Sequence, residues 1–488
     1  MRDYAEQHRD EQAADLRNAT LAIVANRERK DGEQRQPKPD LWKFNKTDFG
    51  FAERLVLMFG QDIRFCYPLG EWFLWNTEGR WKIDRNGGIL QIVKSVTRAM
   101  FASAVKIENG SERDAALAFS RECEKSSRIT GMLKLAASEV PVLPDQLDAD
   151  NWLLNCQNGT IDLRTGKLQE HRREDLITKQ CPVVYDPAAL CPTWERFQQR
   201  VTNGRPDLIR FKQQFSGYSL TGSVTEKRSL AIDYGRGNNG KTTEIEQERY
   251  MRGDYAGQIR IESLMEQKNR NGSGPSPDIA DLRGLRYAAS SEPGENARLS
   301  ESTAKYIMSM GTVKARHLNK EHFEFKQTWK LHMDCNHKPV IRGSDPAIWN
   351  RIALIPFDVT IPDEEIDREL PAKLRAESPG ILAWAVRGCL DWQRHGLCVP
   401  DAVKDATAQY RGDMDVIGRY IAECCITLPN ASARAQILYV NYTKWCTDAG
   451  EAPMNAMNFG TRLTEKGFAK DRDNKGVKYI GIGLRAHE

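Results

Sequence analysis

A glycine-rich stretch that lies between an apolar run and a helix-compatible segment constrains the fold of this chain more than any other feature. Residues 230–243 read LAIDYGRGNNGKTT, which contains the pattern GxxxxGK[ST]. Glycines let backbone N–H groups approach a polyphosphate closely, and a helix that follows directs the positive end of its dipole toward the phosphates. The pattern therefore predicts a strand, a phosphate-binding loop and a helix.

The ligand predicted for this loop is ATP with Mg²⁺. Lys241 supplies a positive charge for the β- and γ-phosphate oxygens, and Thr242 offers a hydroxyl to Mg²⁺. An accidental glycine turn before a helix is the alternative, and the apolar run ahead of the loop argues against it. The candidate nucleotide-binding residues are Gly235, Gly237, Asn238, Asn239, Gly240, Lys241, Thr242 and Thr243.

The composition is that of an ordinary globular protein. At 488 residues the chain is long enough for about three or four domains, and its net charge of +4 is too small to indicate nucleic-acid binding by itself. The 11 cysteines contain no CxxC pair, which argues against a zinc ribbon. We expect no membrane partner and a cytoplasmic location, because no apolar window reaches the roughly 18 residues of a membrane span and the N-terminus is charged.

Three polar residues after the loop are candidates for catalysis. Glu292 follows an apolar run, and a carboxylate at the end of the strand beside the phosphate loop can polarise water or hold Mg²⁺. Asn336 ends another strand-like run, where it can orient water or act as a turn residue before Pro339. Arg351 precedes an apolar strand and is either an arginine finger or a surface arginine at a strand entry.

Trp72, Trp75 and Trp81 cluster in the segment GEWFLWNTEGRWKID. They could stack on nucleic-acid bases, but they flank a probable turn at Glu78 and Gly79. We therefore favour a hairpin core for all three.

In chain order, the segments GRGNNGKT, ASSEP, VKARHLNKEHFEF, DCNHKP and AIWNRIALIPF resemble the superfamily III helicase core of phage, plasmid and poxvirus-type primase-helicases. Upstream, TDFGFAERLV, GEWFLWNTEGRWKID and NGTIDLRTGKL are similar to the segments that precede the motor in that family. The resemblance covers roughly residues 45–485. It implies an AAA+-like P-loop NTPase core that forms a ring, expected to be hexameric, with ATP between protomers and single-stranded or forked DNA as partner.

The resemblance also implies roles for single residues. Glu292 becomes the hydrolysis carboxylate and a metal-binding residue with Thr242, Asn336 the sensor, and Arg351 the finger that reaches a neighbour's γ-phosphate. A pore hairpin is implied at residues 313–325. Its expected DNA-binding residues are Lys314, Arg316, His317 and Lys320.

The chain departs from the family pattern in two places. Met310, Gly311 and Thr312 stand where many relatives have Gly-Gly-Asp before the hairpin. Ser290 and Ser291 precede Glu292, where some ATPases have a second carboxylate. We therefore expect Mg²⁺ to be held mainly through Thr242 and water, with slow hydrolysis.

The fold class predicted is α/β: the AAA+-like core, a mainly helical N-terminal region and a C-terminal winged-helix domain. The winged helix is indicated by two helical patterns and a short hairpin, and it either binds DNA through its basic face or docks a protein. The predicted segments are a polar, partly disordered 1–40, a helical domain 41–150, a small β element 151–190, a helical collar 191–225, the ATPase core 226–360, helices 361–425 and the winged helix 426–488.

Three functions compete at this point. The leading one is an ATP-dependent DNA helicase for replication of a phage, plasmid or other mobile element. A second is a nucleotide-controlled replication initiator or regulator with weak ATPase activity, and a third is a P-loop kinase, which the long helical prelude disfavours. A primase active site is not evident before the motor, so priming is expected to need a separate primase or replication protein.

Overall fold

The computed structural model describes residues 40–266, 277–295, 297–316, 321–342, 345–474 and 476–485. It shows a mixed α/β architecture around a five-stranded parallel sheet. The polar segment predicted at 1–40 lies outside the described residues, apart from its last residue. Across the described ranges, no helix is both long enough and apolar enough to cross a bilayer.

The region before the central sheet is mainly helical. Its elements are α1 (Asp48–Phe59), β1 (Ile63–Cys66), β2 (Glu71–Trp75), β3 (Trp81–Ile83), α2 (Gly88–Ala104), α3 (Gly110–Glu122) and α4 (Ser126–Ala137). Thr47 caps α1 by accepting a hydrogen bond from the N–H of Gly50 at 3.2 Å. Trp75 and Trp81 are buried and pack edge to face, whereas Trp72 is half-buried against the helices, so the predicted hairpin core is confirmed.

A small antiparallel sheet and two helices lead into the central sheet. They are β4 (Leu153–Cys156), β5 (Gly159–Asp162), β6 (Lys167–Gln169), α5 (Pro192–Val201) and α6 (Pro206–Tyr218). Both helices begin with proline, whose missing N–H would have no partner there. The Glu377 carboxylate also accepts hydrogen bonds from the N–H groups of Thr193 and Trp194, at 2.9 and 3.0 Å. A residue that is distant in sequence therefore caps α5.

The central region carries the predicted phosphate loop. Its elements are β7 (Leu230–Tyr234), α7 (Lys241–Arg252), β8 (Ala256–Ile259), α8 (Ile261–Leu264), α9 (Pro277–Ala280), β9 (Tyr287–Ser290), α10 (Glu301–Ile307), β10 (Thr312–Ala315), β11 (Phe323–Lys326), β12 (Lys330–Cys335), α11 (Pro346–Trp349) and β13 (Ile352–Pro356). The parallel sheet has the order β13-β7-β12-β9-β8. Leu230 lies opposite Leu331 on one side and Ile352 on the other. All five strands therefore end at the edge where the loop begins.

The two faces of this sheet differ in polarity. Ile232, Met333 and Leu354 occupy neighbouring register positions and belong to one large apolar cluster. On the opposite face Asp233 and His332 are buried, and His332 Nε2 lies 3.0 Å from Asp233 Oδ2. Strands of a fully covered parallel sheet are usually apolar on both faces. The buried charges on this face therefore require a structural or functional reason.

The C-terminal region contains helices followed by a small unit of helices and strands. Its elements are α12 (Leu370–Ala376), α13 (Ser378–His395), α14 (Asp401–Met414), α15 (Val416–Cys424), β14 (Cys425–Ile426), β15 (Ser432–Arg434), α16 (Ala435–Asp448), α17 (Ala456–Glu465), β16 (Ala469–Asp473), β17 (Gly476–Ile480) and β18 (Gly483–Leu484). A sheet in the order β15-β17-β16 packs with α15, α16 and α17. Tyr442 and Phe459 stack in its core with ring centroids 4.6 Å apart. The two helices and the hairpin predicted from the tail sequence are present.

Candidate functional site

The loop 235–240 joins the carboxyl end of β7 to the first residue of α7. Its backbone φ is positive at Gly237 (97°), Asn238 (45°) and Gly240 (86°). A Cβ on Gly240 would lie 2.8 Å from the Phe197 ring, and a Cβ on Gly235 would lie 2.4 Å from the carbonyl oxygen of Phe357. Only glycine fits at these two positions, because the loop lies directly against its neighbours.

The ammonium of Lys241 lies beneath this loop. Its Nζ donates hydrogen bonds to the Gly235 carbonyl oxygen at 2.8 Å, to Asn239 Oδ1 at 2.9 Å and to Asn336 Oδ1 at 3.0 Å. Burial of the side chain lowers the pKa of the ammonium. Two of its three acceptors are side-chain amides, which can rotate away. The ammonium can therefore exchange these contacts for an anionic ligand.

Thr242 is exposed at the mouth of the loop. Its hydroxyl donates a hydrogen bond to Asp334 Oδ2 at 3.0 Å, from α7 across to β12. The next residue, Thr243, is half-buried, and Asn238 is exposed. Asn239 is buried in the loop. The predicted nucleotide-binding residues thus lie together at the carboxyl end of the sheet, some exposed and some buried beneath the loop.

Glu292 and Asn336 come together at the same end of the sheet. The N–H of Asn336 donates to Glu292 Oε1 at 2.8 Å, and its side-chain Nδ2 donates to Glu292 Oε2 at 3.0 Å. Since Asn336 Oδ1 also accepts from Lys241, the three residues form a connected chain. The Asn336 amide thereby links a cation to a carboxylate.

The prediction that Glu292 follows the strand beside the phosphate-loop strand is wrong. Glu292 follows β9, and β12 lies between β9 and β7. The sequence could not reveal this order, because β12 comes later in the chain and inserts between two earlier strands. Glu292 reaches the loop only through Asn336, which follows the intervening strand.

The site suits a nucleoside triphosphate and Mg²⁺ on its own geometry. A cradle that a Cβ would fill lies at the N-terminus of a helix of 12 residues. A buried ammonium with exchangeable partners lies at its centre. An exposed hydroxyl beside a carboxylate supplies the oxygen donors that Mg²⁺ prefers.

Arg351 lies at the opposite end of the sheet. It directly precedes β13, which runs parallel to β7 with Ile352 opposite Leu230 and Pro356 opposite Tyr234. Five residues of strand, about 16 Å, therefore separate it from the loop of its own chain. Its Nε donates to the Met308 carbonyl oxygen at 3.0 Å, and its Nη1 donates to that of Ala347 at 2.6 Å. The fold does not bring Arg351 to the other candidate residues.

The predicted hairpin is present as β10 paired antiparallel with β11. Val313 and Ala315 face the core, whereas Lys314 is exposed and lies opposite Glu324. Arg316 follows β10 and is partly buried. His317 and Lys320, two of the residues expected to bind DNA, lie outside the described residues.

The basic residues of the tail divide into two groups. Lys466 pairs with Asp415 at 2.5 Å, and Lys478 pairs with Asp471 at 3.1 Å. Lys470 and Arg472 lie on β16, all of whose residues are exposed. Two exposed basic residues of this unit, Lys470 and Arg472, therefore lie on the hairpin.

A buried ionic cluster behind α7 was missed by the sequence reasoning. Lys212 Nζ donates to Glu244 Oε2 at 2.7 Å, and both side chains are buried. The Ser216 hydroxyl donates to Glu248 Oε2 at 2.9 Å, one turn further along α7. These contacts fix the back of the helix that carries Lys241. The sequence did carry a signal for this cluster. Glu244 and Glu248 are four residues apart, so a helix places both on one face, and that face packs against the core.

The chain is similar in sequence to one protein family and to several proteins of large DNA viruses. Residues 52–203 match the family model described as D5 N terminal like. Candidate helicase L207/L206 of Acanthamoeba polyphaga mimivirus is 26% identical over 324 residues, which are 61% of this chain and 33% of the relative. Candidate helicase 022R of Frog virus 3 is 29% identical over 392 residues, 62% of this chain and 40% of the relative.

Two further similarities extend the comparison. Candidate primase C962R of African swine fever virus is 25% identical over 214 residues, which are 42% of this chain and 22% of the relative. Among solved structures, the apo C-terminal region of NrS-1 is 10% identical, covers 90% of this chain and 100% of its own, and has a TM-score of 0.44.

The chain spans about a third to two fifths of the length of the first three curated relatives. The resemblance to the superfamily III primase-helicases, which the sequence predicted, is confirmed by the family match and these relatives.

Proposed function

From the similarity to the D5 N terminal like family and to viral candidate helicases, we propose that the chain is an ATP-dependent DNA helicase that acts in replication of a phage, plasmid or other mobile element. The observation that carries the proposal is the connected set of Lys241, Asn336 and Glu292 at the mouth of the glycine loop. It joins a cation for phosphate, a polar amide and a carboxylate. These are the three groups that a nucleotide hydrolase needs in contact.

Each residue has a distinct task in this proposal. Bound ATP supplies a transferable phosphoryl group, and Mg²⁺ neutralises charge on its oxygens. Lys241 exchanges its amide contacts for phosphate oxygens, and Thr242 holds the metal. Glu292 accepts a proton from water at a carboxylate oxygen, while Asn336 keeps that carboxylate in place.

The oligomer proposed is a ring, hexameric by the resemblance. Support comes from the position of Arg351, which lies about a strand length, roughly 16 Å, from the loop of its own chain. An arginine at that end of the sheet is too far from the loop of its own chain, so a catalytic role for it would require the nucleotide of a neighbouring protomer. In an AAA+-like ring, each ATP would then lie between two copies of the chain.

Single-stranded or forked DNA is the proposed substrate, and the β10–β11 hairpin is its proposed grip. Lys314 is exposed on one strand of this hairpin. Each phosphate contact adds affinity through counterion release, so lysines repeated around a ring would bind a strand in a salt-dependent way. The tail unit, with exposed Lys470 and Arg472, is a winged helix in this proposal and a second DNA or protein contact. Priming would need a separate primase.

The alternative function is a nucleotide-controlled replication initiator with weak ATPase activity. It is favoured by Ser290 and Ser291, which stand where a second carboxylate is found in some ATPases. A motor and a regulator differ in one respect that can be measured. Only the motor couples turnover to strand separation.

The experiment compares wild type with Lys320→Ala, and uses Lys326→Ala as the matched control. Lys326 is exposed at the base of the same hairpin, opposite Thr312. We expect wild type to separate a forked duplex and single-stranded DNA to stimulate its ATP turnover. Lys320→Ala should retain basal turnover and lose strand separation, and its DNA affinity should depend less steeply on salt. Turnover by wild type without any strand separation would favour the regulator.

A further inference from the structure

We propose that Asp334 is the magnesium-positioning carboxylate of this site, acting through the hydroxyl of Thr242. This inference rests on the proposed function, because it concerns the metal that accompanies the nucleotide. It adds a carboxylate behind Thr242 to the expectation that Mg²⁺ is held mainly by Thr242 and water. Some ATPases have a second carboxylate just before the residue that corresponds to Glu292. This chain has Ser290 and Ser291 there, at the end of β9.

The sheet order explains why the carboxylate comes from a different strand. β12 is the direct neighbour of β7, and Asp334 lies opposite Asp233, one residue before both strands end. From there its Oδ2 accepts the Thr242 hydroxyl hydrogen at 3.0 Å. β9 is one strand further from the loop. A carboxylate on β12 is therefore the nearer one to the first turn of α7.

The direction of this hydrogen bond suits metal binding. A hydroxyl has one hydrogen and two lone pairs. When the hydrogen is directed to Asp334, the lone pairs of Thr242 remain available to a cation at the mouth of the loop. Such outer contacts orient the ligand atom and raise its basicity, and their loss typically weakens metal binding by about 10- to 100-fold.

The other acidic and polar groups nearby are engaged elsewhere. Both oxygens of Glu292 accept N–H groups of Asn336, at 2.8 and 3.0 Å. The Ser290 side chain is buried, and its hydroxyl donates to the Ser291 carbonyl oxygen at 3.3 Å. The two carboxylates thus have different roles. Glu292 is held for water and Asp334 for the metal ligand.

The test measures nucleotide binding rather than turnover. A fluorescent ADP analogue is titrated into the full chain at increasing Mg²⁺, and again in EDTA. Asp334→Asn keeps the shape of the side chain and removes its charge. Asp358→Asn is the matched control, because Asp358 follows β13 at the same end of the sheet and pairs with Arg205 on the exposed surface.

We expect Asp334→Asn to raise the Mg²⁺ concentration for half-maximal binding by about 10-fold or more. Its nucleotide affinity in EDTA should be unchanged or slightly higher, since a negative charge near the phosphates is gone. Asp358→Asn should match wild type in both titrations. A Mg²⁺ dependence of Asp334→Asn equal to that of wild type would overturn the inference and leave the proposed function standing.

A second variant tests whether Asp334 acts through Thr242. Removing the hydroxyl in Thr242→Val should itself raise the Mg²⁺ concentration for half-maximal binding. Adding Asp334→Asn to that variant should then change this concentration by less than about two-fold, because the pair shares one interaction. Fully multiplicative effects would show that Asp334 acts by itself and would overturn the positioning role. Absence of nucleotide binding by wild type would overturn the proposed function, and this inference with it.

Discussion

The two ends of the central sheet hold their charges in different ways. At the amino ends, Lys330, Arg286 and Arg351 each donate to backbone carbonyl oxygens, among them those of Thr221, Leu220 and Met308. At the carboxyl ends, Lys241 and Thr242 donate largely to side chains. A backbone carbonyl cannot leave without moving the chain, whereas a side chain can rotate. Charge at the amino ends therefore stabilises the fold, and charge at the carboxyl ends is available to a ligand.

The largest expected effect is on catalysis, at the carboxyl end. Lys241→Ala should reduce ATP turnover by roughly 10²- to 10³-fold, because it removes a positioned cation from a buried site. The variant should still unfold cooperatively, with a smaller stability loss than Arg286→Ala, because two of the three acceptors that lose their donor are side-chain amides that can turn to water. Lys338→Ala is the control: Lys338 follows β12 at the same end of the sheet, and its ammonium pairs with Asp413. Wild-type turnover in Lys241→Ala would contradict the proposed function.

At the amino end the expected effect is on stability. Arg286 is buried and donates to the carbonyl oxygens of Leu220 and Leu153, both at 2.7 Å. Arg286→Ala leaves these acceptors unpaired and should lower the free energy of unfolding by about 2–3 kcal/mol, as measured by urea denaturation. Turnover per folded molecule should persist. Arg283→Ala, an exposed neighbour, should cost less than about 0.5 kcal/mol.

Arg351 is the exception to this difference between the two ends of the sheet. It lies at the amino end, yet it is proposed to act on a nucleotide. Arg351→Ala and Lys241→Ala chains, each expected to lack ATP turnover by itself, are mixed in equal amounts. If sites form between protomers of a ring, about a quarter of the interfaces pair an intact loop with an intact arginine. Turnover should recover to at most that fraction. Mixing Arg351→Ala with the double variant should give none, and equal values in both mixtures would make Arg351 structural.

The smallest expected effect belongs to His332, midway along β12 between the two ends. Burial opposes the charged imidazole, but the carboxylates of Asp233, Glu244 and Glu248 together outweigh burial and raise the pKa of His332. A raised pKa in the folded state adds stability that is complete below about pH 6.5 and is lost as the pH rises through the folded value. The unfolding free energy of wild type minus that of His332→Gln should therefore decline above about pH 6.5. A difference independent of pH would show that His332 stays neutral.

Local sequence was enough to predict part of the site. The loop, Lys241 and Thr242 lie within one motif whose spacing requires a strand, a turn and a helix. Asn336 and Glu292 were found because each ends an apolar run. The tail elements were predicted because their periodicity is local, whereas the hairpin at 313–325 was expected from the family resemblance.

What sequence could not provide depends on which strands are neighbours. The sequence did not indicate Asp334 as a site residue, because Asp334 lies near the loop only when β12 inserts between β7 and β9. Lysine and arginine usually lie on the surface, so the sequence alone offers no reason to expect Lys330 and Arg286 in the interior. The packed structure shows that they donate to carbonyl groups within residues 150–153 and 220–223. Long-range pairing decides such roles, and a single sequence does not record it.

The contact between Gly240 and α5 bears on where the nucleotide-binding unit begins. The ring of Phe197 and a methyl group of Val201 lie where a Cβ of Gly240 would stand, at 2.8 and 3.0 Å. The wall of the loop is thus supplied by a helix some 40 residues earlier in the chain, inside the stretch that matches the D5 N terminal like family. A fragment cut at the start of β7 would lack that wall. We therefore expect a fragment that carries the phosphate loop to need α5 as well, and to start before Pro192.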